Sequence, residues 1–230
     1  GVKDGLAVRV QDFDIFNPYN GNYRVGFQLF RRGLTTSTSS GVSDALVLSV
    51  GGVLSASTFG SSFVKATSLS TAGAKLELNG SALFRAVSNK FIYHFDFVVD
   101  DAVIVNSARM FVGLNINFGT LGNVNPSTMT NCLGVGCDAS ETTLSIIHND
   151  TSGTATKFNL GADFPSNSKT SYYRFKIYFD TTNSQSTIKC KLERYDLSFN
   201  LLFETEHIIT TDILVTGSVH PFYWRNNEST

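Results

Sequence analysis

The sequence predicts an all-β fold built as a single antiparallel β-sandwich. Three observations carry this. Apolar and polar residues alternate at period two in several segments, as half-buried strands require. Clusters of Gly, Asn, Ser and Asp punctuate those segments at the spacing of strand turns. No segment sustains a helical stripe over three turns. The clearest stretch is residues 143–160, TLSIIHNDTSGTATKFNL. Leu144 and Ile146 alternate with Ser145, Asn149-Asp150-Thr151-Ser152-Gly153 supplies the turn, and a second strand returns.

The elements follow in chain order. Residues 6–10 and 23–30 are β-like runs around a turn cluster, Asn17-Pro18-Tyr19-Asn20-Gly21-Asn22. Residues 35–41 are a Ser/Thr-rich loop, too short to link two domains. Gly51-Gly52 between two β-forming runs predicts a tight hairpin. Lys75-Leu76-Glu77-Leu78 alternates, Asn79-Gly80 follows, and residues 81–87 return. Both positions of such a turn need positive φ, which Asn-Gly supplies, so a second hairpin is expected there.

Residues 91–99 form a long strand with Phe91, Tyr93, Phe95 and Phe97 on one face and His94 and Asp96 on the other. Residues 109–116 make the next strand, and a Gly/Asn/Pro/Ser loop over 119–130 leads to Cys132. Tyr173, Phe175, Ile177 and Phe179 alternate with Arg174, Lys176 and Tyr178. Ile188, Cys190 and Leu192 alternate with Lys189, Lys191 and Glu193, giving two antiparallel strands with one wet face. Residues 201–209 and 219–224 complete roughly a dozen strands. No Pro-rich or charged linker divides the chain, so residues 1–230 read as one domain of jelly-roll or lectin-like type.

Composition narrows the function classes. The net charge of −1 gives no electrostatic reason to expect nucleic acid or an anionic membrane as partner. Charged residues are only 16%, so Ser, Thr, Asn and Gly must cover much of the surface, as in extracellular and virion β proteins. No apolar run is long enough for a membrane-spanning helix, and residues 1–10 do not read as a signal peptide. The chain reads as a candidate fragment of a longer protein. Three cysteines are too few for a disulfide framework. Cys132 and Cys137 stand close enough in sequence to bridge or to remain free, and Cys190 falls on an apolar strand face as a buried thiol.

No catalytic or metal motif rises above background. Glu204 and Glu206 share one strand face, the arrangement some sandwich-fold glycosidases use, but a solvated face explains the pair better. His94, His148, His207 and His220 lack metal-ligand spacing. Asp138, Glu141, Asp150 and Asp163 fall in loops without a defined calcium pattern, where carboxylates usually bond the local backbone. No cofactor is implied. For a carbohydrate ligand, loop and surface aromatics are the useful signal, because a ring face packs on the apolar face of a sugar. The aromatic candidates are Tyr19, Tyr23, Tyr172, Tyr178, Tyr195 and Trp224. The ligand-binding set chosen from these and their polar neighbours is Tyr19, Asn20, Asn22, Tyr178 and Trp224.

The run Asn131-Cys132-Leu133-Gly134-Val135-Gly136-Cys137-Asp138 is followed by His148-Asn149-Asp150 and Gly153-Thr154-Ala155-Thr156-Lys157, and the chain ends near Trp224-Arg225-Asn226-Asn227. This pattern resembles concanavalin-like β-sandwich domains at the C-terminal ends of phage tail fibres, tail spikes and related virion appendages. It spans about half of the chain, from Met110 to Asn227, and consists of turn and strand signatures. In the family pattern a further strand follows the Trp-Arg-Asn-Asn segment, whereas this sequence ends at Thr230. The first ninety or so residues carry no motif of the family.

The resemblance implies a non-enzymatic virion domain that binds a host-surface glycan or receptor, contacts other virion proteins and forms a homotrimer. The alternatives are a purely structural capsid or tail component, a polysaccharide-degrading enzyme using Glu204 and Glu206, and a cellular lectin.

Overall fold

The computed structural model describes residues 47–50, 53–56, 64–67, 74–79, 84–85, 91–98, 108–116, 124–168, 170–180, 187–214 and 218–227. Its strands are β1 (Val47–Val50), β2 (Val53–Ala56), β3 (Val64–Thr67), β4 (Ala74–Asn79), β5 (Phe84–Arg85), β6 (Phe91–Phe97) and β7 (Ala108–Asn115). They continue with β8 (Cys132–Cys137), β9 (Ser145–Asn149), β10 (Thr156–Asn159), β11 (Ser171–Asp180), β12 (Thr187–Asp196), β13 (Leu201–Ile209) and β14 (Ser218–Asn227). One 3-10 turn, Pro126–Thr128, is the sole helical element among the described residues. The protein is all-β, as its alternation predicts.

Every strand pair is antiparallel. The large sheet runs β1-β4-β14-β7-β8-β9-β10, with β5 also on β14. A second sheet runs β13-β12-β11-β6, and β2 and β3 pair by themselves. The two larger sheets contribute to one apolar cluster. Met110, Val112, Leu133, Val135 and Ile146 come from the first, and Phe95, Tyr173, Phe175, Cys190 and Leu192 from the second. Phe95 of β6 meets the Tyr223 ring of β14 edge-on at 5.5 Å between centroids, a geometry that aligns ring edge with ring face.

The opposite face of the large sheet is also covered. Phe111, Cys132, Ile147, Phe222 and Trp224 form a second cluster under Met129 and Ala155. The loops carrying those two residues are bonded together: Ala155 donates its N–H to Ser127 O, and Asn149 Nδ2 donates to Met129 O. Strands β7, β8 and β9 are therefore buried along their whole length. Glycines make this closeness feasible at two cross-strand sites. Gly113 and Gly134 are register partners, and a Cβ on Gly134 would lie 2.5 Å from the Phe111 ring.

Two expected hairpins are not found among the described strands, and their turn residues Gly51, Gly52 and Gly80 lie outside the described residues. β1 pairs with β4 and β2 with β3. β4 lies between β1 and β14, and β5 joins β14 rather than β4. For β4, pairing with neighbours on both sides replaces the local partner, since a strand gains most where neighbours cover it. Residues 143–160 form the expected hairpin, with Thr156 opposite His148 and Asn159 opposite Ser145.

Strand β14 is central, and its Pro221 sits where one partner hands over to another. β5 pairs with residues 218 and 219, while β4 pairs from Phe222 onward. The residue that lacks an N–H donor thus falls in the gap of that ladder. Cys132 and Cys137 stand at opposite ends of β8, roughly 17 Å apart at strand rise. A disulfide needs Cα atoms within about 7 Å, so the pair is free. Burial pushes the Cys137 thiol up to about 11 and Cys132 to about 12, which leaves both protonated and inert. Cys190 is buried, as expected from its strand face.

Candidate functional site

The four-stranded sheet keeps one face away from the core, and its side chains form a connected ionic and aromatic surface. β11 and β12 pair over ten residues, from Ser171 opposite Asp196 to Asp180 opposite Thr187. Period-two alternation sends Tyr173, Phe175, Cys190 and Leu192 to the core. It sends Tyr172, Arg174, Lys176, Lys191, Glu193 and Tyr195 to the other face.

Charges on this face are paired strand by strand. Arg174 Nε donates to Asp96 of β6 at 2.9 Å. Lys176 and Lys191 both reach Glu193 Oε1, at 2.9 and 3.1 Å. Tyr195 donates its hydroxyl to Glu193 Oε2 at 2.7 Å. Burial alone would raise the Glu193 carboxyl, but bonds from Lys176, Tyr195 and Lys191 together hold it below the usual range. Lys191 continues to Glu204 at 2.8 Å, and Lys189 holds Glu206 at 2.6 Å on the exposed strand β13.

Above this network lies an aromatic stack. The Tyr172 and Tyr195 rings stack 4.7 Å apart, and Phe199 meets Tyr172 edge-on at 5.2 Å. The Arg174 guanidinium lies 6.0 Å from the Tyr172 centroid and 5.8 Å from that of Tyr195, within cation–π range. Phe199 is 53% exposed although it is the outermost ring of the group.

The β12–β13 turn holds Phe199 in place. Asp196 accepts N–H bonds from Ser198 and Asn200, both at 2.8 Å, and a third bond from Asn200 Nδ2 at 2.9 Å. The Asn200 side-chain bond, with the two backbone bonds, holds the Asp196 carboxyl below its ordinary range. The turn closes with Asp196 N–H donating to Asn200 O and Phe199 N–H to Asp196 O. Phe199 has φ of +65°, a left-handed backbone that disfavours a side chain this large. A register shift between Arg194 and Tyr195 inserts one extra residue, Leu202, into β13, a bulge of the kind that redirects side chains. Leu197, Leu201 and Leu202 are exposed around it, so the end of the sheet is an apolar patch on a bonded frame.

The sequence-predicted residues do not converge here. Tyr19, Asn20 and Asn22 lie outside the described residues. Tyr178 is half-buried on the same sheet face, six residues along β11 from Tyr172 and roughly 20 Å away. Trp224 is a correction. It is 2% exposed inside the second apolar cluster, so its ring has no free face for a sugar. Tyr172 and Tyr195 were legible as candidates, and the structure unites them. Phe199 was missed; the available signal was two apolar residues, Leu197 and Phe199, in a turn whose other members are polar.

The same-face placement of Glu204 and Glu206 holds, and each carboxylate is engaged by a lysine on an open surface. Asp150 accepts the Ser152 N–H within its own turn, and Asp138 and Glu141 share Lys157 at 2.8 and 2.6 Å. No group of three or more metal-ligating side chains occurs among the described residues.

No protein-family model matches the chain, and no curated protein matches it in sequence. Among solved structures it is similar to the crystal structure of a protein of unknown function from Shewanella oneidensis MR-1. The identity is 14% and the TM-score 0.48, over 87% of this chain and 77% of that one.

Proposed function

We infer that the chain is a non-enzymatic binding domain of a phage virion appendage, with its two larger sheets stacked as a jelly-roll sandwich. Its ligand is a glycan or receptor on the bacterial surface. The observation that carries the binding reading is the Tyr172–Tyr195–Phe199 stack, held by a turn bonded through Asp196 and crowned by an exposed ring. Rings fixed in this way lose little conformational freedom when a ligand packs on them, which is what recognition requires. The lysine-engaged states of Glu204 and Glu206 support the absence of glycosidic chemistry, which needs one carboxyl kept protonated and another free.

The virion setting rests on the resemblance of residues 110–227. The test is binding of fluorescently labelled protein to candidate bacterial hosts, with and without soluble surface glycan as competitor. Saturable, competed binding is expected. Absence of binding at micromolar concentration would move the reading to a structural virion part.

A further inference from the structure

The geometry points to an acid-operated latch between the two larger sheets, formed by His148 of β9 and His207 of β13, which holds while both rings are neutral and opens when both are charged. The two rings face each other across the sheets with centroids 6.5 Å apart. His207 also stacks on Phe158 of β10 at 4.1 Å and 18° between planes. β10 and β13 are the terminal strands of their sheets, so this cluster joins one edge to the other.

The surroundings define what each ring meets. His148 Nδ1 lies 3.2 Å from the Asp212 carbonyl. A carbonyl only accepts, so the neutral ring carries its proton on Nδ1 and takes a second one on Nε2. The Asp212 carboxylate is engaged by the Thr156 hydroxyl of β10 at 2.7 Å, which ties the 210–214 loop to the same edge. On β12 the register partner of His207 is Cys190, a buried neutral thiol, and on β8 that of His148 is Leu133. Lys189, Lys191 and Glu206 project from the opposite face of their strands, and Lys157 is engaged with Asp138 and Glu141 on the far face of β10. Asp212 is therefore the acidic group toward His148, and among the described residues no carboxylate pairs with His207.

Protonation then acts in one direction. Burial holds both rings below their ordinary value of 6.5, with the charge of His148 adding to the effect on His207 and Asp212 opposing it for His148. Rings held below that value are neutral at pH 7 in the closed edge. An opened edge releases them toward 6.5, so opening takes up protons and becomes favourable as pH falls below that value. Two like charges across 6.5 Å, one of them without a carboxylate, supply the repulsion.

The test is hydrogen–deuterium exchange of residues 156–159 and 205–212 at pH 7.5 and pH 5.0, corrected for intrinsic exchange rates. The expected result is severalfold more opening at pH 5.0 than at pH 7.5, with β11 unchanged. His207→Phe keeps the stack on Phe158 and removes one charge and the repulsion between the rings, so its edge should show a smaller rise in exchange at pH 5.0 than the native chain. His148→Asn retains a donor toward the Asp212 carbonyl and should behave likewise. Exchange that is independent of pH in the native chain, or as pH-dependent in both variants as in the native chain, overturns the latch.

Discussion

Strands β7 to β9 and strands β11 to β13 solve the same problem in opposite ways. The first group is buried on both faces and relies on close approach: Gly113 against Gly134, and the Phe111 ring across Gly134. The second group buries one face and covers the other with paired charges and stacked rings, from Asp96 to Glu206. Close packing tolerates no added atom, whereas the ionic face is buried at Arg174 and Glu193 and re-forms around changes only at its exposed edge, Lys189 and Glu206. Under the proposed function, the difference separates where stability is concentrated from where a ligand would be met.

Substitutions should break the comparison in graded steps. Gly134→Val should have the largest effect, because its Cβ meets both the Phe111 ring and the Val112 carbonyl at 2.5 Å. A loss of about 3 kcal/mol or more is expected in chemical denaturation, since overpacking against backbone relaxes poorly. Glu193→Gln comes next. It keeps one acceptor oxygen but removes the charge shared by Lys176 and Lys191 and sets an NH2 donor against either the lysines or the Tyr195 hydroxyl, and should cost about 2 kcal/mol.

That substitution also has a pH signature. The folded Glu193 carboxyl lies below its unfolded value of 4.5, so its contribution is present above that pH and is lost as pH falls through the folded value. Glu193→Gln should flatten the stability curve in that acid range, and urea titrations from pH 7 to pH 3 would reveal it. Phe199→Gly should be smaller, within about 1 kcal/mol, because relief of the left-handed backbone offsets the lost contact with Tyr172. Glu206→Gln at the exposed edge should change stability by no more than about 0.5 kcal/mol and leave ligand binding intact.

The sequence disclosed the second group far better than the first. Alternation through Tyr173, Phe175 and Ile177 and through Ile188, Cys190 and Leu192 named both strands and their core faces, because only one face of each is apolar. The pairing of β14 between β4 and β7 was not legible, since nothing local specifies a partner more than a hundred residues away. For the same reason Asn79-Gly80 suggested a hairpin, whereas the strand before it pairs with β1 and β14. Trp224 misled as a site residue because an aromatic next to Arg225 and Asn226 reads as a surface group. Its strand is covered on both sides.

The site itself was half legible. Tyr172 and Tyr195 stood out as aromatics beside charged residues, but their meeting depends on the register that sets Tyr172 opposite Tyr195. Phe199 joins them only through a turn fixed by Asp196 and Asn200.

The measurement that tests the account most directly is host-cell binding by the Tyr195→Ala/Phe199→Gly double variant beside the native chain. Circular dichroism and urea unfolding would confirm equal folding. The variant should remain folded and lose saturable binding at least tenfold. A folded variant that binds as the native chain does would contradict it and remove recognition from the open face of the four-stranded sheet.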